Sequence, residues 1–132
     1  MNLLLDTHIA LWALYQPSSL PATARSYLED PSNDLAVSVA AVWEVAIKNA
    51  KAPDSMPAHP AEFTADIDAA GWKVRSIEVG DVIRLHGLPA IHSDPFDRLM
   101  IAQAMSHGLE LLTADTKIAA YQSHPDTRII AV

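Results

Sequence analysis

The sequence predicts an α/β fold in which a parallel sheet of four or five strands is covered by helices on both faces. Three observations support this prediction. Short apolar segments typical of buried strands alternate along the chain with longer helical segments. Half of the 132 residues are hydrophobic, which is enough for the core of one ordinary domain. No composition shift or repeat divides the chain, so residues 1–132 are predicted to form a single domain.

Five segments have the length and apolar content of strands. The first is a run of leucines that ends at an aspartate, and the third alternates between apolar and polar residues. The predicted strands are residues 2–5, 35–39, 72–79, 109–113 and 128–132.

Helix boundaries are indicated by prolines, capping residues and glycines. The clearest helix covers residues 96–107, where Asp94 stands at the cap, Pro95 at the first position and Gly108 just past the end. The other predicted helices are residues 9–15, 21–30, 40–50, 61–70, 81–86 and 116–121.

The composition limits the classes of function. The formal net charge is −7, from 16 acidic residues against 9 lysines and arginines. This counts against a broad nucleic-acid groove, because nucleic-acid binders normally carry a basic surplus. It does not count against a site that holds metal cations, and it suits a basic protein partner. The absence of cysteine excludes disulfides and thiolate metal sites.

Nothing in the sequence indicates a membrane or a secretion signal. No apolar run approaches the roughly 18 residues that a membrane-spanning helix needs. The amino terminus lacks the basic start and long apolar stretch of a signal peptide. We therefore expect a cytoplasmic location without membrane attachment.

Acidic residues recur where predicted strands end and helices begin. Asp6 ends the first strand, Glu44 lies in the opening turns of the helix after the second, Asp97 lies in the first turn of its helix, and Asp115 follows the fourth strand closely. Ligands of parallel sheets bind beyond the carboxyl ends of the strands. The four carboxylates are therefore predicted to gather at one edge of the sheet.

A simpler interpretation exists for each acid taken alone. Asp6, Asp94 and Asp115 are good helix caps, and a carboxylate is favoured at any helix amino terminus. Glu44 has Lys48 four residues later, which is the order of a favourable ion pair. The helix over residues 40–50 is apolar almost all round, which predicts burial on most sides. A buried Glu44 then needs a cation, and both Lys48 and a metal ion could supply it.

Clustered carboxylates cannot all ionise without compensation, and a hard divalent cation such as Mg²⁺ or Mn²⁺ provides it. Such ions support phosphodiester hydrolysis by activating water and stabilising the leaving oxygen. No zinc-type histidine spacing and no nucleophilic serine motif occurs. His8 and His92 are candidates for the border of a substrate groove, and His107 is interpreted as a cation at the end of its helix.

Four segments, taken together and in this order, resemble PIN-domain ribonucleases, and more narrowly the VapC-type toxins of prokaryotic toxin–antitoxin pairs. They are LLDTH at 4–8, VWEVAIK at 42–48, HSDPFDR at 92–98 and LTAD at 112–115. The resemblance covers essentially the whole chain. It implies a three-layer α/β/α PIN-like fold and a Mg²⁺- or Mn²⁺-dependent endoribonuclease site.

The resemblance also assigns roles to residues. Asp6, Glu44 and Asp97 take the core metal-ligand and catalytic positions, and Asp115 takes the fourth acidic position. Four further residues are expected in supporting roles. Asp94 is expected as a helix cap, and Thr7 and Thr113 as groups that orient the carboxylates. Arg98 is expected to pair with an acid or to contact a phosphate.

The partners that the resemblance implies are an RNA substrate, a small cognate antitoxin that blocks the acidic pocket, and a second copy in a homodimer. Two other functions stay open at this point. One is an inactive binding module with the same fold. The other, a Mg²⁺-dependent phosphoacceptor domain, ranks low because it needs a lysine after the last strand of its pocket and none follows here.

Overall fold

A computed structural model describes all 132 residues of the chain. Its centre is a parallel sheet of five strands in the order β3-β2-β1-β4-β5. The strands are β1 (Asn2–Leu5), β2 (Asp34–Ser38), β3 (Lys73–Arg75), β4 (Glu110–Thr113) and β5 (Ile129–Ala131). The predicted α/β fold is confirmed.

Seven α-helices connect and flank the strands. They are α1 (Thr7–Tyr15), α2 (Ala22–Glu29), α3 (Val39–Lys51), α4 (Pro60–Ala69), α5 (Val79–His86), α6 (Pro95–His107) and α7 (Thr116–Ala119). The chain moves outward from β1 through β2 to β3, then crosses back to β4 and continues to β5. Because crossovers between parallel strands are right-handed, this reversal puts α1–α4 on one face and α5–α7 on the other. The result is the three-layer arrangement.

The central strand β1 explains why the sheet is covered on both sides. Leu3, Leu4 and Leu5 are all fully buried, although successive side chains of a strand point to opposite faces. β1 pairs in parallel with β2 on one side and with β4 on the other. The residues that follow β1 and β4 therefore meet at one edge of the sheet.

Helix α6 has the boundaries that its sequence predicts. The Asp94 carboxylate accepts a hydrogen bond from the Asp97 backbone N–H at 2.9 Å, which is the predicted cap contact. Gly108 ends the helix with φ of 65°, a left-handed conformation that glycine adopts without a steric penalty. This capping fixes where the first turn of α6, and therefore Asp97, lies.

The predicted third strand is wrong in its second half. The strand ends at Arg75, and α5 already begins at Val79. The Ser76 carbonyl accepts a hydrogen bond at 3.0 Å from the buried Gln103 side chain of α6 instead of joining the sheet. The Glu78 N–H then donates to the Asp81 carboxylate at 2.8 Å and starts the helix. Side-chain contacts thus override the alternating pattern.

The expectation that the helix over 40–50 is buried on most sides is also wrong. One stripe of α3 faces solvent, with Val39 37 %, Trp43 53 % and Ile47 41 % exposed. These residues are four apart and so share one side of the helix. Ala40, Ala41, Glu44 and Val45 form the buried side. The helix belongs to an outer layer, which buries only one side against the sheet.

No helix of the structure combines the length and the apolar character that a membrane span requires.

Candidate metal centre

The four predicted acids come together at the carboxyl edge of the sheet. Asp6 follows β1 directly, and its N–H donates to the Leu112 carbonyl of neighbouring β4 at 3.0 Å. Asp115 follows β4, while Glu44 enters from the second turn of α3 and Asp97 from the first turn of α6. The charges of Glu44, Asp97 and Asp115 all act on the Asp6 carboxyl. Parallel pairing of β1 with β4 therefore brings together acids that are distant in sequence.

Asp6 is the most perturbed acid of the cluster. Its side chain is 2 % exposed. Burial, together with the neighbouring carboxylates of Asp97, Asp115 and Glu44, raises the pKa of Asp6 to about 7, although a hydrogen bond from Thr113 lowers it. The Thr113 hydroxyl donates to Asp6 Oδ2 at 2.8 Å. An ionised Asp6 therefore needs a cation that the protein itself does not provide.

Asp97 is held by a histidine. His92 Nε2 lies 2.7 Å from Asp97 Oδ2 in a largely buried contact. Burial raises the pKa of Asp97, and its neighbours Asp94 and Glu44 add to the rise, while His92 opposes it. One ligand atom from each of His92, Asp97 and Asp115 lies within 4.8 Å of the others. The sequence indicated His92 only as the border of a groove, although its place in the same motif as Asp97 was a usable signal.

Asp115 combines a cap with a free oxygen. Its Oδ1 accepts a hydrogen bond from the Lys117 N–H at 2.8 Å, and its own N–H donates to the Thr113 hydroxyl at 3.0 Å. Thr113 thus fixes both Asp6 and the backbone of Asp115. The predicted orienting contact of Thr113 is present.

Asp6, Asp97 and Asp115 share one pattern of hydrogen bonding. In each of them the protein anchors one carboxylate oxygen by a hydrogen bond. The anchored atoms are Asp6 Oδ2, Asp97 Oδ2 and Asp115 Oδ1. The second oxygen of each accepts no hydrogen bond from the protein. Anchoring one oxygen fixes the orientation of the carboxylate, and the other remains available to a ligand. The ligand atoms that lie within 4.8 Å of one another belong to Asp97, Asp115 and His92, and this group does not include Asp6. Asp6 is coupled to Asp97 and Asp115 through their charges, so its free oxygen adds a carboxylate beside a donor set that suits a divalent cation.

Glu44 differs from the other three acids because both of its oxygens are engaged. The Thr7 hydroxyl donates to Oε1 at 2.8 Å, and the Lys48 ammonium lies 2.6 Å from Oε2. Glu44 is 3 % exposed, whereas the Lys48 side chain is 48 % exposed. The hydrogen bond to Glu44 raises the pKa of Lys48. In this structure Lys48 supplies the cation that buried Glu44 needs.

Arg98 does not pair with an acid, which was one of its two expected roles. Its guanidinium donates to the carbonyls of Leu85, Leu88, Pro89 and His92 at 3.1–3.4 Å. The hydroxyl of buried Tyr121 donates to the Pro89 carbonyl at 2.8 Å and accepts from the His92 N–H at 3.0 Å. Arg98 and Tyr121, the latter missed by sequence reasoning, hold the loop that carries His92.

We expect Arg98→Ala to lower the free energy of unfolding by about 3 kcal/mol, because several carbonyls lose a charged donor at once. Arg98→Lys should recover less than half of this loss, since an ammonium cannot reach so many acceptors together. Urea unfolding measures both effects. Arg25→Ala is the matched control, because Arg25 makes only one side-chain hydrogen bond, a solvent-exposed contact to the Pro17 carbonyl. Equal losses at the two positions would contradict this role.

We expect Thr113→Val to weaken Mn²⁺ binding about 10- to 100-fold, because the Asp6 carboxylate loses the donor that orients it. Valine keeps the buried volume, so the effect reports the hydroxyl. Isothermal titration calorimetry gives the affinity. The control is Thr64→Val on α4, where the hydroxyl bonds only to the Ala61 carbonyl. An unchanged Mn²⁺ affinity in Thr113→Val would contradict the assignment.

A cavity of about 210 Å³ opens beside the acids and is lined by Asp6, His8, Trp12, Ala114 and Asp115. His8, predicted at the border of a groove, does line it. A larger cavity of about 520 Å³ lies between α5, α6 and the segment before β5, and includes none of the clustered acids. Size alone therefore does not identify the functional site.

The fold and the acidic cluster define a class of protein. Its members have a parallel sheet covered by helices on both faces and a carboxylate-rich site for a cation at the carboxyl edge of the sheet. The sequence profile of the PIN domain matches residues 3–123. The chain belongs to the PIN domain family.

Solved structures support this assignment of the fold. The chain is similar to VapBC2 from Rickettsia felis bound to a promoter DNA fragment, at 15 % identity and a TM-score of 0.72, covering 100 % of this chain and 99 % of that one. It is similar to DNA-bound VapBC from Salmonella typhimurium, at 17 % identity and a TM-score of 0.66, covering 99 % of this chain and 98 % of that one. It is also similar to a toxin–antitoxin complex from Klebsiella pneumoniae, at 22 % identity and a TM-score of 0.63, covering 97 % of this chain and 95 % of that one. Comparison with curated protein sequences finds no match. At these identities the structural likeness establishes the fold alone.

Proposed function

We propose that this protein is a metal-dependent endoribonuclease and the toxin of a type II toxin–antitoxin pair of the VapC type. The observation that carries the proposal is the oriented set of three acids, Asp6, Asp97 and Asp115, each with one free oxygen. A binding module that had lost catalysis would have no physical need for a buried Asp6 with a raised pKa. We assign the whole chain to one nuclease domain.

Asp6, Asp97 and Asp115 would hold Mg²⁺ or Mn²⁺, with His92 beside them. Such an ion supplies charge for the scissile phosphate and lowers the pKa of water. Thr113 and His92 keep their carboxylates in one orientation throughout the reaction. Glu44 is the fourth acidic position of the site. To act as a ligand it must release Lys48, whose exposed ammonium is then free for a phosphate oxygen.

The proposed partners are an antitoxin, an RNA substrate and a second copy of the chain. Among the similar structures, the one from Klebsiella pneumoniae is a toxin–antitoxin complex, and those from Rickettsia felis and Salmonella typhimurium are VapBC bound to DNA. An antitoxin segment with a basic side chain would be attracted to the acidic cluster and to a chain of net charge −7. Exposed Val79, Val82 and Ile83 on α5 provide an apolar surface for the homodimer.

The test is cleavage of a panel of RNAs that includes tRNAs, with Mg²⁺, with Mn²⁺ and with EDTA. We expect cutting that requires a divalent ion and stops in EDTA. Metal-independent cutting would contradict the proposal. Absence of cutting by folded protein that binds Mn²⁺ would favour the inactive binding module. The panel also identifies the RNA and the cleavage position.

A further inference from the structure

An aromatic pair lies on the rim of the acidic cluster. Trp43 and Phe96 meet with ring centroids 4.9 Å apart and planes at 86°. Each ring directly precedes an acid of the cluster, Glu44 on α3 and Asp97 on α6. Although it packs against Phe96, Trp43 is 53 % exposed. The contact thus holds the indole beside the site without burying it.

We propose that Trp43, held by Phe96, stacks on an unpaired base next to the scissile phosphate. This inference rests on the proposed function and requires RNA whose bases are free to unstack at the cut, in a single strand or a loop. Trp43 is a positioning residue in this proposal, because it contacts a base and not the reacting phosphate.

The depth of the acids favours such a substrate. Asp6, Glu44 and Asp97 are 2 %, 3 % and 8 % exposed, so a phosphate must come close to a recessed surface. A regular duplex keeps its phosphates on a rigid helix, whereas a single strand can bend into the site and unstack a base. An exposed aromatic ring replaces the lost stacking and is tolerant of base identity.

A cation lies on the same helix as Trp43. On the same helix, the half-exposed Lys48 ammonium lies at the acidic cluster and feels the charges of Asp94 and Asp97 as well as Glu44. Once a metal ion releases Lys48 from Glu44, this helix offers a ring for a base and a cation for a phosphate. The other apolar residues of this stripe, Val39 and Ile47, could instead pack against a second copy, so the experiment must separate the two.

The experiment measures RNA binding in an Asp6→Asn background, which removes cleavage. The probe is a fluorescein-labelled pool of short single-stranded RNAs of mixed sequence, followed by anisotropy in Mg²⁺. We expect Trp43→Leu to weaken binding about tenfold and Trp43→Phe, which keeps a stacking face, to stay within about threefold. Val74→Ala, an exposed apolar position on β3, should change nothing. Equal affinity of the Trp43→Leu and parent proteins, or no binding by the parent, would overturn the proposal.

Two further measurements complete the test. With Asp6 intact, Trp43→Leu should raise KM about tenfold and leave kcat within about threefold, as expected for lost binding of the substrate. Sedimentation velocity on the same variants tests the alternative that Trp43 packs against a second copy of the chain. If Trp43→Leu dissociates a dimer and weakens single-stranded and duplex RNA equally, the ring is a subunit contact and the proposal falls. If the wild type cuts no RNA but Trp43 still governs single-strand binding, only the proposed function fails.

Discussion

Asp6→Asn is expected to reduce RNA cleavage about a thousandfold, because a bound cation contributes several kcal/mol to the transition state and 1.4 kcal/mol is a factor of ten. Asparagine keeps the size of the side chain and its contact with Thr113, but it removes the negative charge. Mn²⁺ affinity should fall with the activity. Initial rates on an RNA that the wild type cuts, combined with calorimetry, measure both quantities.

The matched control is Asp34→Asn. Asp34 is an exposed aspartate at the start of β2, so it lies at the opposite edge of the sheet from Asp6. Its variant should cleave at the wild-type rate. Cleavage that persists in Asp6→Asn would mean that a contaminant or another site is responsible, and the assignment of the centre to these acids would be wrong.

In the absence of metal, the protein should lose stability as the pH rises, because of Asp6. Its pKa is about 7 in the folded protein against an ordinary value of 3.8, so the folded state keeps a proton that the unfolded state has released. The free energy of unfolding therefore decreases with rising pH between these two values. The slope from one such group is at most about 1.4 kcal/mol per pH unit. Below pH 3.8 Asp6 does not change the stability, and above pH 7 it destabilises the metal-free protein to its full extent.

Comparison with Asp6→Asn isolates this contribution. Between pH 5.5 and 7 in EDTA, the stability of the wild type relative to Asp6→Asn should fall by about 2 kcal/mol, measured by urea unfolding. At pH 8 without metal, Asp6→Asn should be the more stable protein. Saturating Mn²⁺ should reverse that order, because the ion binds the folded wild type. A stability difference that does not change with pH would show that Asp6 ionises normally in the metal-free fold.

These two predictions share a cause, and that cause also explains the different behaviour of Glu44. Asp6 and Glu44 are equally inaccessible, with 2 % and 3 % exposure. Lys48 lies 2.6 Å from Glu44, whereas Asp6 has only the neutral hydroxyl of Thr113. A buried charge without a cation is strongly disfavoured. The need for metal is therefore greatest at Asp6, which makes it the position where removal of the charge has the largest effect.

Much of the fold could be predicted from local sequence signals. The Asp94, Pro95 and Gly108 signals gave the correct limits of α6, because caps and breakers act through neighbouring backbone atoms. The prediction failed for the end of β3. There the Gln103 side chain, distant in sequence, binds the Ser76 carbonyl, and no local pattern reports such a contact.

The sequence by itself determined the parallel α/β architecture and which acids end its strands or open its helices. Strand length, alternation and capping are local properties, and the topology of a parallel sheet brings strand ends to one edge. Only the tertiary structure decided how each acid is partnered: Lys48 on Glu44, His92 on Asp97, and no cation on Asp6. It also turned Arg98 toward carbonyls and left Trp43 exposed on the rim. Contacts between distant segments and the depth of burial fix these features, and neither is encoded in the spacing of residues along the chain.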